Sequence, residues 1–255
     1  MSDVYDYPQY YEIAFGFRDI PAEVDLIEEC IKRYAKTPVK SILELGCGPC
    51  THMIELTGRG YRFHGLDLNE SMLTYAREKA RSAGIEGNFI RADMVDFRVD
   101  FKVEFAMNLL DSLFTQSTAE LTSHFDAVAN VVKPGGLYLL DWCIQYEIPL
   151  EAEGGVSWEM EKSDIKVKTN VSWKAANRVE QLWAETITLE IDDHGKQLTA
   201  VGTIVKRAIY PQEFLLFIAQ HPSWEFVGWW NLWDLNQPLE GQVKLDRPIA
   251  LVRRV

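Results

Sequence analysis

Two short stretches carry residues whose types and spacing suit binding chemistry. Gly46-Cys47-Gly48 follows an apolar run and precedes a helix-compatible stretch, which is where a backbone with positive φ lets a ligand approach closely. Asp67 follows about 20 residues later, the separation at which a carboxylate at the end of the next strand accepts hydrogen bonds from a ribose diol. The third glycine of a full G-x-G-x-x-G is missing and Thr51-His52 stands in its neighbourhood, so an adenosine ligand without a pyrophosphate fits better than a dinucleotide. Cys47 and Cys50 form a C-x-x-C with no second Cys/His pair at metal-ligand spacing, which predicts no metal site.

Two further carboxylates fall at predicted strand ends. Asn108, Leu109, Leu110, Asp111 and Ser112 end one strand, and Asp141-Trp142-Cys143 ends another. Open α/β sheets bind ligands at such carboxyl ends, so Asp111 and Asp141 are candidates to steer or deprotonate a substrate, with a bland helix-cap or surface role as the alternative for each. Trp142 offers a π face to a cationic centre.

The motif stretch resembles a known family. Ile42-Leu43-Glu44-Leu45-Gly46-Cys47-Gly48 is similar to the first motif of the class I S-adenosylmethionine-dependent methyltransferases, and Gly65-Leu66-Asp67-Leu68-Asn69-Glu70-Ser71-Met72-Leu73 to the second. Arg91-Ala92-Asp93-Met94 and Lys133-Pro134-Gly135-Gly136 resemble the third motif and the turn before the fifth strand. The resemblance covers roughly residues 40 to 143 and is closest to small-molecule members, amino-sugar N-methyltransferases and glycine N-methyltransferase-like enzymes. Those members usually carry Thr-Gly where this chain has Pro49-Cys50.

The resemblance implies S-adenosyl-L-methionine as cofactor, with Glu44 near its methionine amino group, the Gly46, Cys47 and Gly48 backbone along its methionine portion and Asp67 on its ribose. It implies Leu68, Met72, Ala92, Asp93 and Met94 around adenine, Asn108 and Leu109 near the methyl, and a Tyr-rich leader folded over the site with Tyr11 as cofactor neighbour and candidate catalytic group. The expected activity is in-line methyl transfer to a nitrogen or oxygen of a small-molecule metabolite. The alternatives are aminopropyl transfer on the same fold and a non-catalytic cofactor-binding sensor or interaction module.

The elements that must position these residues alternate. A helix is predicted from Pro21 to Lys36, strands at 39–45, 61–68, 88–92, 103–109 and 137–143, and helices at 51–57, 70–83 and 118–132. Repeated β-α alternation predicts a doubly wound Rossmann-like sheet, seven-stranded once 224–230 and 248–255 return to it. Between them, from Pro149, the period becomes two. Ile165, Val167, Val171 and Trp173, then Val179, Trp183, Ile187, Leu189 and Ile191, predict an antiparallel β lid over 150–208, inserted after the fifth strand. Residues 1–149 and 209–255 then form the main domain.

Composition bounds the rest. With 255 residues, 47% apolar and 25% charged, the chain has an ordinary globular make-up and no window apolar enough for a membrane span. A net charge of -12 repels a phosphate backbone and disfavours nucleic acid as a partner. The first residues lack the pattern of a secretory signal, and four cysteines suit a reducing compartment, so a cytoplasmic location is expected. An uncovered edge of the lid would permit a homodimer.

Overall fold

The computed structural model describes residues 3–146, 153–241 and 244–255. The Tyr-rich leader is not extended: a single 3-10 turn at Val4–Asp6 is capped by the Asp3 carboxylate, and a short helix α1 (Pro8–Ala14) starts on a proline whose missing N–H costs nothing there. Helix α2 (Ile20–Tyr34) is capped by Asp19, which accepts from the Ala22 amide, and buries Val24, Ile27 and Cys30 on one stripe.

The strand and helix series then runs as the alternation predicts. It comprises β1 (Ser41–Leu45), α3 (Met53–Gly58), β2 (Arg62–Asp67), α4 (Glu70–Ser82), β3 (Asn88–Arg91), β4 (Val103–Asn108), α5 (Thr118–Val131) and β5 (Val132–Asp141). Asn69 and Ser117 cap α4 and α5 by accepting the amides of Met72 and Glu120. Four antiparallel strands follow, β6 (Gly154–Lys162), β7 (Ile165–Asn177), β8 (Leu182–Asp193) and β9 (Lys196–Arg207). Helix α6 (Pro211–Gln220), β10 (Trp224–Trp230) and β11 (Ile249–Arg254) complete the chain.

The main sheet has seven strands in the order β10-β11-β5-β4-β1-β2-β3, and the second sheet has four in the order β6-β7-β8-β9. β1 pairs in parallel with both β2 and β4, while β11 lies antiparallel between β5 and β10. Strand order reverses at β1 and β4, which opens a crevice at their carboxyl ends, where the glycine turn and the loop after β4 both emerge. Successive residues of the central strands feed opposite faces. Ile42, Phe105 and Leu139 pack under α2, α3 and α4, while Leu43, Ala106 and Leu140 join the core with Phe125 of α5 and Phe214 of α6. A third cluster is separate: Val4, Ile13 and Ala14 of the leader pack on Ile165, Val167, Ile187, Leu189 and Ala200 of the second sheet.

Several expectations are adjusted. Val179 is not on the inner face of a strand; it sits in the turn between β7 and β8 and is 93% exposed, because the chain reverses there and returns into β8 at Leu182. Strand β6 and helix α1 were not expected, and β5 begins at Val132, with a register shift between Val103 and Phe105 of β4 accommodating Lys133-Pro134-Gly135-Gly136. Helix α3 starts at Met53, since Cys50 has φ +50 and continues the turn. The expected change of pattern at Pro149 and the boundary at 149/150 lie outside the described residues. No helix among the described residues is long and apolar enough to cross a membrane.

Candidate functional site

A cavity of about 610 Å³ opens at the carboxyl ends of β1, β2 and β4. Its floor is the glycine turn. Gly46 and Gly48 have φ +60 and +49, and a Cβ on Gly46 would meet Met94 Cε at 3.0 Å and Ser112 Cβ at 3.2 Å, so the turn favours glycine there. The turn is tied to β2: the Cys47 amide donates to the Leu66 carbonyl at 3.0 Å, and the Gly48 amide to Asp67 Oδ2 at 2.7 Å. Asp67 Oδ1 accepts the Asn69 amide at 2.8 Å. Burial raises the Asp67 pKa, and the backbone donors from Asn69 and Gly48 pull the other way.

Glu44, at the penultimate position of β1, presents a buried Oε2 that has no hydrogen-bond partner to the same cavity. Its other oxygen lies 3.5 Å from His52 Nδ1, and His52 Nε2 lies 2.8 Å from Glu23 Oε2. Arg18, which lines the cavity, reaches His52 at 3.0 Å and Glu23 at 3.1 Å. Burial disfavours charge on His52, but its hydrogen bonds to the Glu23 and Glu44 carboxylates outweigh it and raise the pKa. Burial likewise raises Glu23, yet hydrogen bonds from His52 and Arg247 hold it down to about 2. The two arginines, His52 and the carboxylates form one buried charge cluster behind the methionine end of the turn.

The turn after β3 supplies Ala92, Asp93 and Met94, and the start of α4 supplies Met72. His124 fixes the backbone of that turn, with Nδ1 2.8 Å from the Met94 carbonyl and Nε2 2.8 Å from the Tyr138 hydroxyl. Burial pushes the His124 pKa down to about 4, so the ring is neutral at physiological pH. Leu68 lines the cavity with 62% of its surface exposed, which leaves an apolar wall for a flat ring to cover. The roof comes from the leader, through Tyr5, Tyr11 and Phe15, and from Ile204 of β9. Tyr11 stacks between Tyr5 and Phe15, at ring-centroid distances of 5.6 and 4.6 Å. Burial drives its hydroxyl pKa well above the ordinary value.

Of the residues predicted to hold the cofactor, Tyr11, Glu44, Gly46, Cys47, Gly48, Asp67, Leu68, Met72, Ala92, Asp93, Met94 and Leu109 all line this one cavity. Asn108 does not. It is fully buried one layer behind, where its side chain takes the Cys143 thiol at 3.2 Å. Cys47 and Cys50 are buried thiols packed over Gly65, where a Cβ would meet their sulfurs at 2.9 and 3.0 Å.

The two candidate catalytic carboxylates are also set back from the cavity wall. Asp141 is fully buried and accepts from the Leu110 amide at 3.0 Å, from Trp233 Nε1 at 2.9 Å and from Arg247 Nη2 at 2.8 Å, which makes it an anchor for the loop after β4. Asp111 turns away from the cavity toward Lys206 Nζ at 2.8 Å and Gln145 Nε2 at 3.2 Å. Burial raises the Asp111 pKa to about 6, against the pull of the Lys206 ammonium. Trp142 has φ +62, is 43% exposed and does not line the cavity. Sequence reasoning missed Arg18, Phe15, Phe114, Ile204 and Lys206. Each reaches this region through tertiary packing, and none belongs to a local motif.

The geometry accepts an adenosine-bearing amino acid. Glu44 Oε2 is an unsatisfied buried acceptor for an ammonium, Gly46 leaves the space a Cβ would fill, and Asp67 faces the cavity from the end of β2. Residues 42–136 match the family described as a methyltransferase domain. The dTDP-3-amino-3,4,6-trideoxy-alpha-D-glucopyranose N,N-dimethyltransferase of Streptomyces venezuelae is 29% identical over 174 residues, 67% of this chain and 68% of that one. The matches to other curated relatives span less than half of those proteins' length. A S-adenosylmethionine-dependent methyltransferase from Clostridium acetobutylicum ATCC 824 superposes with a TM-score of 0.77 at 19% identity, covering 96% of both chains. Streptomyces venezuelae DesVI superposes at 0.76 with 18% identity, covering 98% of this chain and 97% of that one. At such identities these structures speak for the fold, and the matched domain spans the strands that carry the glycine turn and Asp67. With both in agreement, residues 42–136 form a methyltransferase domain and the chain has the fold of the class I S-adenosylmethionine-dependent methyltransferases.

Proposed function

We propose that the chain methylates a nitrogen of a small polar metabolite of the amino-sugar kind, with S-adenosylmethionine as donor. The observation that carries this reading is the roofed cavity: the leader and Ile204 of β9 lie over the glycine turn, and Leu110, Ser112 and Phe114 line the wall beside which a small acceptor would stand. The choice of nitrogen over oxygen rests on the likeness to the Streptomyces venezuelae N,N-dimethyltransferase.

When bound, the cofactor supplies an activated methyl group with a neutral thioether as its leaving group. In this reading Asp67 accepts the ribose hydroxyls, Glu44 Oε2 accepts the methionine ammonium, and Leu68, Met72 and Met94 sandwich the adenine, whose amine reaches Asp93. Tyr11 and Phe15 exclude water, and Leu109 and Leu110 define where the acceptor stands. Asp141 acts through the Leu110 amide as a positioning residue. The inserted sheet is a lid that moves with the leader, and its edge β6 is the line along which a second copy would pair. The net charge of -12 supports a protein without nucleic-acid partners, and the four unpaired, buried cysteines support a cytoplasmic location.

The test is calorimetry with S-adenosylmethionine and with NAD, followed by incubation with S-adenosylmethionine and a TDP-linked 3-amino sugar, reading S-adenosylhomocysteine formation. Micromolar binding with product that carries the methyl on nitrogen supports the proposal. Binding without turnover on this or any other amine favours the sensor alternative, and binding of NAD alone overturns the cofactor assignment.

A further inference from the structure

We propose that Lys206 of β9 is a positioning residue for methyl transfer: its ammonium clamps the loop after β4 to the inserted sheet. The proposal rests on the methyltransferase reading of the cavity and adds to it a group no cofactor motif contains. Leu110 and Asp111 have φ +51 and +56, two consecutive non-glycine residues in the left-handed region, a strained conformation that persists only if its surroundings hold it. Two carboxyl ends do the holding. From the main sheet, Asp141 accepts the Leu110 amide through its side chain and the Asp111 amide through its carbonyl, both at 3.0 Å.

From the other side comes Lys206, 95 residues away in sequence, which donates to the Asp111 carbonyl at 3.0 Å and to Asp111 Oδ2 at 2.8 Å. Its side chain is 2% exposed, with Glu185 of β8 at 3.5 Å and the Trp183 and Phe114 rings 4.7 and 5.4 Å from the ammonium. A buried ammonium between two carboxylates and two aromatic faces is a fixed point, not a mobile surface charge. The fixed point joins two walls of the cavity. Leu110 just before Asp111 and Ser112 and Phe114 after it line one wall, and Ile204, two residues before Lys206 on the same strand, lines the roof. The ammonium therefore ties the wall beside the acceptor to β9, next to the Arg207 amide, which donates to the Thr115 carbonyl at 2.7 Å.

Lys206→Met keeps the length and bulk of the side chain and removes the donor, while Lys206→Arg keeps the charge. Hydrogen exchange should speed at least tenfold at the amides of Leu110, Asp111 and Ser112 in Lys206→Met, with Cys47 and Asn69 unchanged, S-adenosylmethionine affinity within threefold of wild type, and most protection kept in Lys206→Arg. With the TDP-linked 3-amino sugar as probe, kcat should fall at least tenfold while KM for S-adenosylmethionine holds. A Lys206→Met/Asp111→Asn double variant, which leaves only Glu185 without its ammonium, should show the same loop exchange if the single variant folds poorly. Loop amides that stay at wild-type rates in either variant, or that speed only in step with every other amide, overturn the clamp. Failure of the wild type to bind S-adenosylmethionine would instead overturn the methyltransferase reading, and the exchange comparison would still decide the clamp.

Discussion

Asp67 accepts the Gly48 backbone amide at 2.7 Å, so a carboxylate that lines the cavity also holds the glycine turn in shape. One side chain thus links the end of β2 to the turn after β1. Asp67→Ala should weaken S-adenosylmethionine binding tenfold or more, as expected for a lost pair of charge-assisted hydrogen bonds plus a loosened turn. Calorimetry on the two proteins measures it, and an unchanged Kd would remove Asp67 from the site.

Gly46 tests the shape of the turn rather than its charge. Gly46→Ala brings a Cβ to 3.0 Å from Met94 Cε in a backbone with φ +60, and the backbone strain alone costs roughly 1 kcal/mol. Met94 must then shift into the space beside adenine. The expected outcome is a Tm lowered by a few degrees and a cofactor Kd raised at least tenfold, read by thermal unfolding and calorimetry on the same sample.

Asp141 should behave as an anchor and not as a base. Its carboxylate is fully buried against Arg247 and Trp233, and Asp141→Leu would take from the Arg247 guanidinium one of its two carboxylates, leaving Glu23, and from the Leu110 amide its acceptor, at a cost of about 3 kcal/mol or more. Chemical denaturation should record that loss. A variant of wild-type stability that has lost only activity would speak for a direct catalytic role instead.

Stability should fall on mild acidification because of His124. Its folded pKa of about 4 lies below the ordinary value of 6.5, so the unfolded chain binds the extra proton between those limits and stability rises with pH across that window. The contribution is complete above about 6.5, lost as pH falls toward 4, and on the order of 3 kcal/mol. Glu23 adds a second loss, between its ordinary value of 4.5 and about 2. His52, raised by its carboxylates, works in the opposite sense, with a contribution present below 6.5 and lost above its folded pKa. Denaturation midpoints from pH 7 to pH 4 measure the net slope. His124→Gln should flatten the limb between 6.5 and 4.

The parts of this site that were legible in the sequence are those in which chemistry and local backbone coincide. Gly46 and Gly48 signal a positive-φ turn wherever they occur after an apolar run, and Asp67 ends the neighbouring strand, so spacing alone brings them together. Asp111 and Asp141 illustrate the limit. Asp141 ends β5 and Asp111 lies in the loop after β4, but whether a carboxylate there faces the cavity depends on Lys206, Trp233 and Arg247, which arrive from distant segments. Helix α1 was hidden for a related reason: seven residues are too few for a periodic signal, and its apolar face is completed by the second sheet, where the Trp158 indole donates to the Ala14 carbonyl at 2.6 Å.

The leader and the inserted sheet share a hydrophobic cluster of their own, distinct from the two that flank the main sheet. Loss of side-chain volume at Ile187 or Leu189 therefore loosens the seat of the leader, and with it the roof of the cavity, without opening a void beside β1 or β4.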